Sequence, residues 1–317
     1  MDVNLRVQRY DPAGDRKPYY EEYALTGQPE GVTVLDALIE VRENVDETLG
    51  MRCSCRSSIC GSCAMRINGQ ATLACKTRVS SVTGPDGSVT VEPAGNMPVL
   101  KDLVVDFEIF WHKINDIGPW LKTEGPEPER EYIVDNDKML NLIGTVGCIM
   151  CGACVSDCTV LAADPDFLGP AALAKAYRFV GDPRDAHREE RLADYVKDGG
   201  IWDCTHCYYC VEVCPKGVAP MEWILELRRE AEAAGHTNHN GVRHSKVFAE
   251  SVKEAGWLDE AKLAMDSMGS LKEKLSLVPV GLRSLLHGKM PPTGPLHYKR
   301  PGAEHVKRIF EELEAKE

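Results

Sequence analysis

Apolar and polar positions alternate from the start of the chain. Leu5 and Val7 share one side of an extended run that ends at Tyr10. Glu22–Leu25 repeats the pattern after the turn-like stretch 11–17. A period of two predicts strands with one buried face. The period changes at Thr33. Leu35, Leu38 and Ile39 fall on one helical face, and Thr33 with Asp36 three residues on makes a capping pair, so a short helix should start there. Ala64–Asn68 returns to strand, Asn68-Gly69 supplies a tight turn into 71–74, and Ser88–Glu92 makes the last strand. Together these elements predict a small mixed α/β domain over residues 1–104.

After that point the spacing is helical. Gly169-Pro170 opens an Ala-rich run with Leu173, Ala176, Tyr177 and Val180 in phase, and Gly181-Asp182-Pro183 stops it. A second helix is expected over 215–233, with Ile224, Leu225 and Leu227 apolar. Helices are also expected over 245–255 and 257–268. From Gly302 onward Val306, Ile309, Phe310 and Leu313 form a narrow apolar stripe, preceded by an extended segment at 288–292. The fold class is therefore α+β: a mixed N-terminal domain (1–104), an all-α domain (105–235) and a helical C-terminal extension (236–317).

Thirteen cysteines give this scaffold its chemistry. Two runs share one spacing: Cys148-x2-Cys151-x2-Cys154-x3-Cys158 and Cys204-x2-Cys207-x2-Cys210-x3-Cys214-Pro215. This is the spacing of bacterial ferredoxins, in which three close thiolates hold one cluster and the fourth reaches the other. It predicts Cys148, Cys151, Cys154 and Cys214 around one [4Fe–4S] cluster. Cys158, Cys204, Cys207 and Cys210 should surround another. One run alone would also suit a zinc knuckle or a disulfide pair; two full copies argue against zinc. Nearer the N-terminus, Cys55-x4-Cys60-x2-Cys63 and then Cys75 approach the plant-type [2Fe–2S] pattern. The dianionic cluster needs backbone N–H donors, and Ser57, Ser58, Gly61 and Ser62 are small enough to let the backbone approach. Cys53 lies at the wrong distance from Cys60 and reads as a neighbour rather than a ligand.

Composition narrows the setting. A net charge of −12 disfavours nucleic acid as a partner. The odd cysteine count argues against a closed disulfide framework, and the N-terminal ten residues lack the apolar core of a signal peptide. Clusters of this kind imply a reducing compartment. No stretch approaches membrane-spanning length, so a tether to a membrane is expected from partners. No Gly-rich dinucleotide fingerprint follows a strand, so this chain is expected to have no organic active site.

Several blocks resemble the iron–sulfur subunit of succinate dehydrogenase and fumarate reductase. They are the stretch from Cys55 to Gly69 with Leu73-Ala74-Cys75, the join from Met97 to Asp106, the run from Gly169 to Asp185, and Cys214-Pro215-Lys216-Gly217. The resemblance covers about residues 1 to 230. It implies a β-grasp [2Fe–2S] domain, a helical domain with two further clusters, FAD on a flavoprotein partner, and electron relay to a quinone such as menaquinone. It also implies a peripheral position on the cytoplasmic side of the membrane, held through partner subunits.

Three departures from that pattern bear on function. Most members carry a non-ligand residue at the place of Cys207 and a [3Fe–4S] third cluster. Here Cys207 either binds a fourth iron or stays a bystander. The family's quinone-side residues are a Pro after Cys158, a Trp soon after it, and a His after Cys204. Thr159, Ala162-Ala163 and Thr205 stand in those places, and His206 lies one residue along. The tail resembles that of heterodisulfide-reductase-type cluster subunits. This implies a type E complex, in which a soluble cysteine-rich subunit replaces the membrane anchor, or a thiol-linked fumarate reductase. The alternative for the tail is a simple capping extension. His236, His239 and His244 read as a solvated turn, and the remaining alternative for the whole chain is a zinc-binding assembly module.

Overall fold

The computed structural model describes residues 1–14, 17–289 and 301–315. They form two compact units, Met1–Glu230 and Ala231–Glu317.

The first unit begins with a five-stranded mixed sheet in the order β2-β1-β5-β3-β4. The strands are β1 (Val3–Arg9), β2 (Tyr19–Leu25), β3 (Ala64–Ile67), β4 (Gln70–Leu73) and β5 (Ser88–Glu92). In β1, Val3, Leu5, Val7 and Arg9 are buried and the residues between them are not, which is the period-two pattern of the sequence. β2 starts three residues before the alternation suggests. Its first residues, Tyr19–Glu21, pair by backbone with Arg9–Val7 and carry no buried face to signal them. β5 is the last of these strands in the chain but lies inside the sheet, parallel to β1 and antiparallel to β3. The β3–β4 hairpin turns through Asn68 (φ 49°) and Gly69 (φ 79°), the left-handed pair that a two-residue turn requires.

The helix Val34–Glu40 covers one face of this sheet through Val34, Leu35, Ala37, Leu38 and Ile39. Its start is the capping box expected from sequence: Asp36 N–H donates to Thr33 Oγ1, and Thr33 N–H donates to Asp36 Oδ2. The buried Arg9 ties the domain shut by donating to Asp102 Oδ1 at 3.0 Å, and Asp102 also accepts from the backbone of Tyr10 and Gly50. A two-stranded ribbon, β6 (Val99–Lys101) with β7 (Val104–Val105), leads into the helical part.

The longer helices that follow in this unit are Glu108–Asp116, Pro170–Val180, Arg188–Tyr195 and Pro220–Ala233, the last of which runs on past Glu230. Single turns at Ala153–Ser156, Thr159–Ala163 and Tyr209–Glu212 lie between them in the chain. The helix expected from 215 starts only at Pro220. Residues 215–219 form a turn with positive φ at Gly217 and Ala219, and Val218 N–H donates to Cys214 Sγ. The need to cradle a thiol outweighs helix propensity there.

In the second unit, Asn240–Ala255 packs against Glu260–Asp266 and Ala303–Glu314. Asn240–Ala255 starts five residues before the sequence suggests. His239 caps it by accepting from Gly241 N–H, and His244 lies within it, 3.2 Å from Ser267 Oγ. The three histidines are therefore not one solvated turn. Leu271–Ser276 and Val278–Leu286 are further helices. The extended segment expected at 288–292 lies outside the described residues from 290 onward.

Candidate metal centres

The loop between Val34–Glu40 and β3 is folded around its thiols by the backbone. Ser57, Ile59 and Cys60 donate their N–H groups to Cys55 Sγ at 3.3–3.4 Å, and Ser58 N–H donates to Cys75 Sγ at 3.3 Å. Cys55 N–H reaches Cys60 Sγ at 3.5 Å. Arg56, Ser58 and Gly61 take positive φ, which turns successive N–H groups inward. A ring of donors aimed at sulfur is what an anionic cluster needs. The Ser62 hydroxyl, helped by the backbone N–H groups of Cys55 and Ser62, pulls the exposed Cys60 thiol down to about 6. Burial pushes Cys63 up to about 12. Cys53 is half-buried and packs against the core of the N-terminal domain, as Cys75 does.

The two ferredoxin-like runs border two cavities. Cys148, Cys151, Cys154 and Cys214 line one, together with Ala171, Ala174 and Val218. Cys158, Cys204, Cys207 and Cys210 line another, with Phe167, Met221 and Ile224. The fourth cysteine of each run thus faces the cavity of the other. The local cause is helical. Cys154 sits on the turn Ala153–Ser156 and Cys158 just beyond it, so one turn of backbone separates thiols that face different cavities. Tyr209–Glu212 does the same for Cys210 and Cys214. Ala153 and Val213 are buried together where these turns meet, with Cys154 packed on them. The start of Pro170–Val180 borders both cavities, through Pro170 on one and Ala171 and Ala174 on the other.

Burial raises most of these thiols: Cys151 to about 11, Cys210 to about 12, and Cys154, Cys158 and Cys204 above their ordinary value. A thiol in this setting keeps its proton unless a metal replaces it. Four cysteine sulfurs around each cavity, set among apolar walls, suit iron–sulfur clusters.

The sites adjoin one another. A Cβ on Gly61 would lie 2.6 Å from Cys151 Cβ, so the N-terminal cysteine loop presses directly on the first cavity, and its φ of 74° also requires glycine. The joint is held by polar groups that spacing arguments do not reveal. Ala71 N–H donates to the buried Asp157 Oδ2 at 2.6 Å, and Arg66 Nε lies 3.1 Å from Asp157 Oδ1. Asn96 Nδ2 donates to the carbonyls of Val155, Ser156 and Cys158, and Lys76 Nζ to that of Pro215. Behind the second cavity the buried Arg228 donates to the carbonyls of Ile201 and Cys204 and to His206 Nε2. Burial and the nearby Arg228 charge lower the His206 pKa. The exposed His206 ring thus meets Arg228 of the helix Pro220–Ala233 through Nε2. Thr159, Ala162, Ala163 and Thr205 are all exposed.

Comparison with known proteins covers both halves of this architecture. Residues 4–112 match the 2Fe-2S iron-sulfur cluster binding domain family, and residues 145–218 the 4Fe-4S dicluster domain family. The mitochondrial succinate dehydrogenase [ubiquinone] iron-sulfur subunit of Dictyostelium discoideum is 36% identical over 234 residues, covering 71% of this chain and 81% of that protein. The succinate dehydrogenase iron-sulfur subunit of Coxiella burnetii is 36% identical over 231 residues, covering 72% and 96%. A chain of the Mycobacterium smegmatis Sdh1 complex in the apo form superposes with a TM-score of 0.67 at 27% identity, over 74% of this chain and 98% of that one.

Proposed function

The chain belongs to the succinate dehydrogenase iron–sulfur subunits, and from that premise we propose how twelve of its thirteen cysteines divide among three redox centres. It is the electron-transfer subunit of a succinate dehydrogenase complex, with 2Fe-2S and 4Fe-4S domains. Cys55, Cys60, Cys63 and Cys75 hold a [2Fe–2S] cluster in a β-grasp domain over 1–104. Cys148, Cys151, Cys154 and Cys214 hold a [4Fe–4S] cluster, and Cys158, Cys204, Cys207 and Cys210 a second one, in a helical domain over 105–235. Cys53 is no ligand. When bound, the clusters supply one-electron exchange.

The residues of this chain do the rest. N–H groups around Cys55 and Cys75 offset cluster charge. Ala153, Val213, Ala171 and Ala174 keep water from the inner sites, and Gly61 brings the first loop against Cys151. One observation carries the reading. The first and last cysteine sets each present an exposed thiol, Cys60 and Cys207, whereas Cys148, Cys151, Cys154 and Cys214 are all half-buried. That is the exposure a relay needs: two ends open to partners and a shielded middle. One end serves the FAD of a flavoprotein partner. The other serves a quinone, menaquinone on this reading, at a membrane anchor or at a soluble cysteine-rich subunit taking its place. Thr159, Ala162, Ala163 and Thr205 supply little for a quinone to bind, so on this reading most of that site belongs to the partner.

Anaerobic purification tests the assignment. The expected protein is brown, with iron and acid-labile sulfide in the ratio of one two-iron and two four-iron centres. A colourless protein with stoichiometric zinc would overturn it.

A further inference from the structure

Residues 271–289 carry chemistry that the cluster sites do not use. The helices Leu271–Ser276 and Val278–Leu286 contain no buried residue. Seven of their large apolar side chains are strongly exposed, among them Leu271 at 74% and Leu286 at 78%. Helices of this length bury nothing here that would stabilise them in water. Leu277, between them, keeps right-handed helical backbone (φ −80°, ψ −18°).

Counted through that residue, Leu271, Leu275, Val278, Leu282 and Leu285 recur at steps of four and three, with Leu286 beside them. They make one apolar stripe. Val280 falls on the other side, with Glu273, Ser276 and Ser284. The cations take the flanks. At 100° per residue Lys272 and Arg283 lie along one margin of the stripe and Lys274 along the other. Lys289 follows the last turn. Four cations stand here against one acid in a chain whose net charge is −12. That acid, Glu273, is engaged in the capping box of Ser270.

An apolar stripe edged by Lys and Arg, whose long stems let the charge rise beside it, is the design of a helix lying in a bilayer interface. The local positive charge selects among possible surfaces. Anionic headgroups attract such a segment, while the remaining acidic surface is repelled by them. We propose that residues 271–289 bind this chain to an anionic membrane surface, with Leu275 and Leu282 entering the acyl boundary and Lys272, Lys274 and Arg283 at the headgroups. The proposal is independent of the cluster assignment, since no residue of the segment borders a cluster cavity.

Flotation of the full chain, purified anaerobically, tests it. The probes are phosphatidylcholine vesicles with and without phosphatidylglycerol. Binding is expected to the anionic vesicles and to fall as salt rises. Leu275→Glu with Leu282→Glu should abolish it. Lys272→Glu with Arg283→Glu should weaken it at least about tenfold. Val280→Glu, off the stripe, should change it less than about twofold. Unchanged cluster absorbance in each variant shows that the cluster-bearing unit persists, and unchanged far-UV circular dichroism that the helical extension does. Three results would overturn the proposal: no flotation with either vesicle, equal binding to neutral and anionic vesicles, or wild-type binding by the Leu275/Leu282 variant. A purified partner subunit that covers the stripe, in a complex lost with those Glu substitutions while vesicles go unbound, would assign the surface to a protein instead.

Discussion

Cys207 is the residue on which the third centre turns. It lines the second cavity with Cys158, Cys204 and Cys210, and Thr159 Oγ1 lies 3.9 Å from its sulfur. As a fourth ligand it makes that centre a cubane. Cys207→Ala should convert it to a three-iron cluster, visible as a new EPR signal in the oxidised protein, with the other two centres unchanged. A three-iron signal of full intensity already present in the wild type would make Cys207 a bystander. At this scale the sequence is most informative about sulfur. Spacing alone predicts which thiols face which cavity, because a three-residue step and one helical turn leave few other solutions. It is silent about Asp157, Asn96 and Arg228. Their partners lie dozens of residues away, and a lone polar residue in a helical stretch looks like surface until the chain closes over it.

Between the two cluster-bearing parts, the joining element is the turn Ala153–Ser156 with Asp157 at its end. The Asp157 carboxylate is fully buried, accepts from Ala71 of β4 and faces Arg66 of β3. Asp157→Ala leaves a buried N–H without an acceptor and a half-exposed guanidinium without its counter-ion. Such a loss costs about 2–3 kcal/mol, so the guanidinium midpoint should fall, followed by cluster bleaching under anaerobic conditions. Asp157→Asn keeps an acceptor for Ala71 and should recover about half of the loss. Equal midpoints for wild type and Asp157→Ala would refute this account of the joint. Legibility at this level follows periodicity. β1, the β3–β4 hairpin and the capped helix at Val34 announce themselves by alternation, by Asn-Gly and by Thr33 with Asp36. The start of β2, the ribbon β6–β7 and the turn 215–219 do not. They are set by backbone pairing and by hydrogen bonds to a carbonyl or a sulfur, which leave no hydrophobic signature. The central place of β5 is illegible for a related reason, since chain order carries no direct record of strand order.

Across the whole molecule, chemistry and tail are separable. Every residue that lines a cluster cavity, and every hydrogen bond to a cysteine sulfur named above, lies within Met1–Glu230. The second unit has its own packing, in which Asn240–Ala255 meets Ala303–Glu314 and Lys253 pairs with Glu314 at 2.7 Å. Ending the chain after Gly235 keeps the helix Pro220–Ala233 whole, along with the contacts of Arg228 to Ile201, Cys204 and His206. Such a truncated protein should retain the iron and sulfide content of the full chain and the same oxidised and reduced EPR spectra. Its affinity for anionic vesicles should vanish. Loss of the third centre on truncation would mean that the extension supports the Cys204–Cys214 region, and the tail would then be part of the redox machinery rather than its attachment.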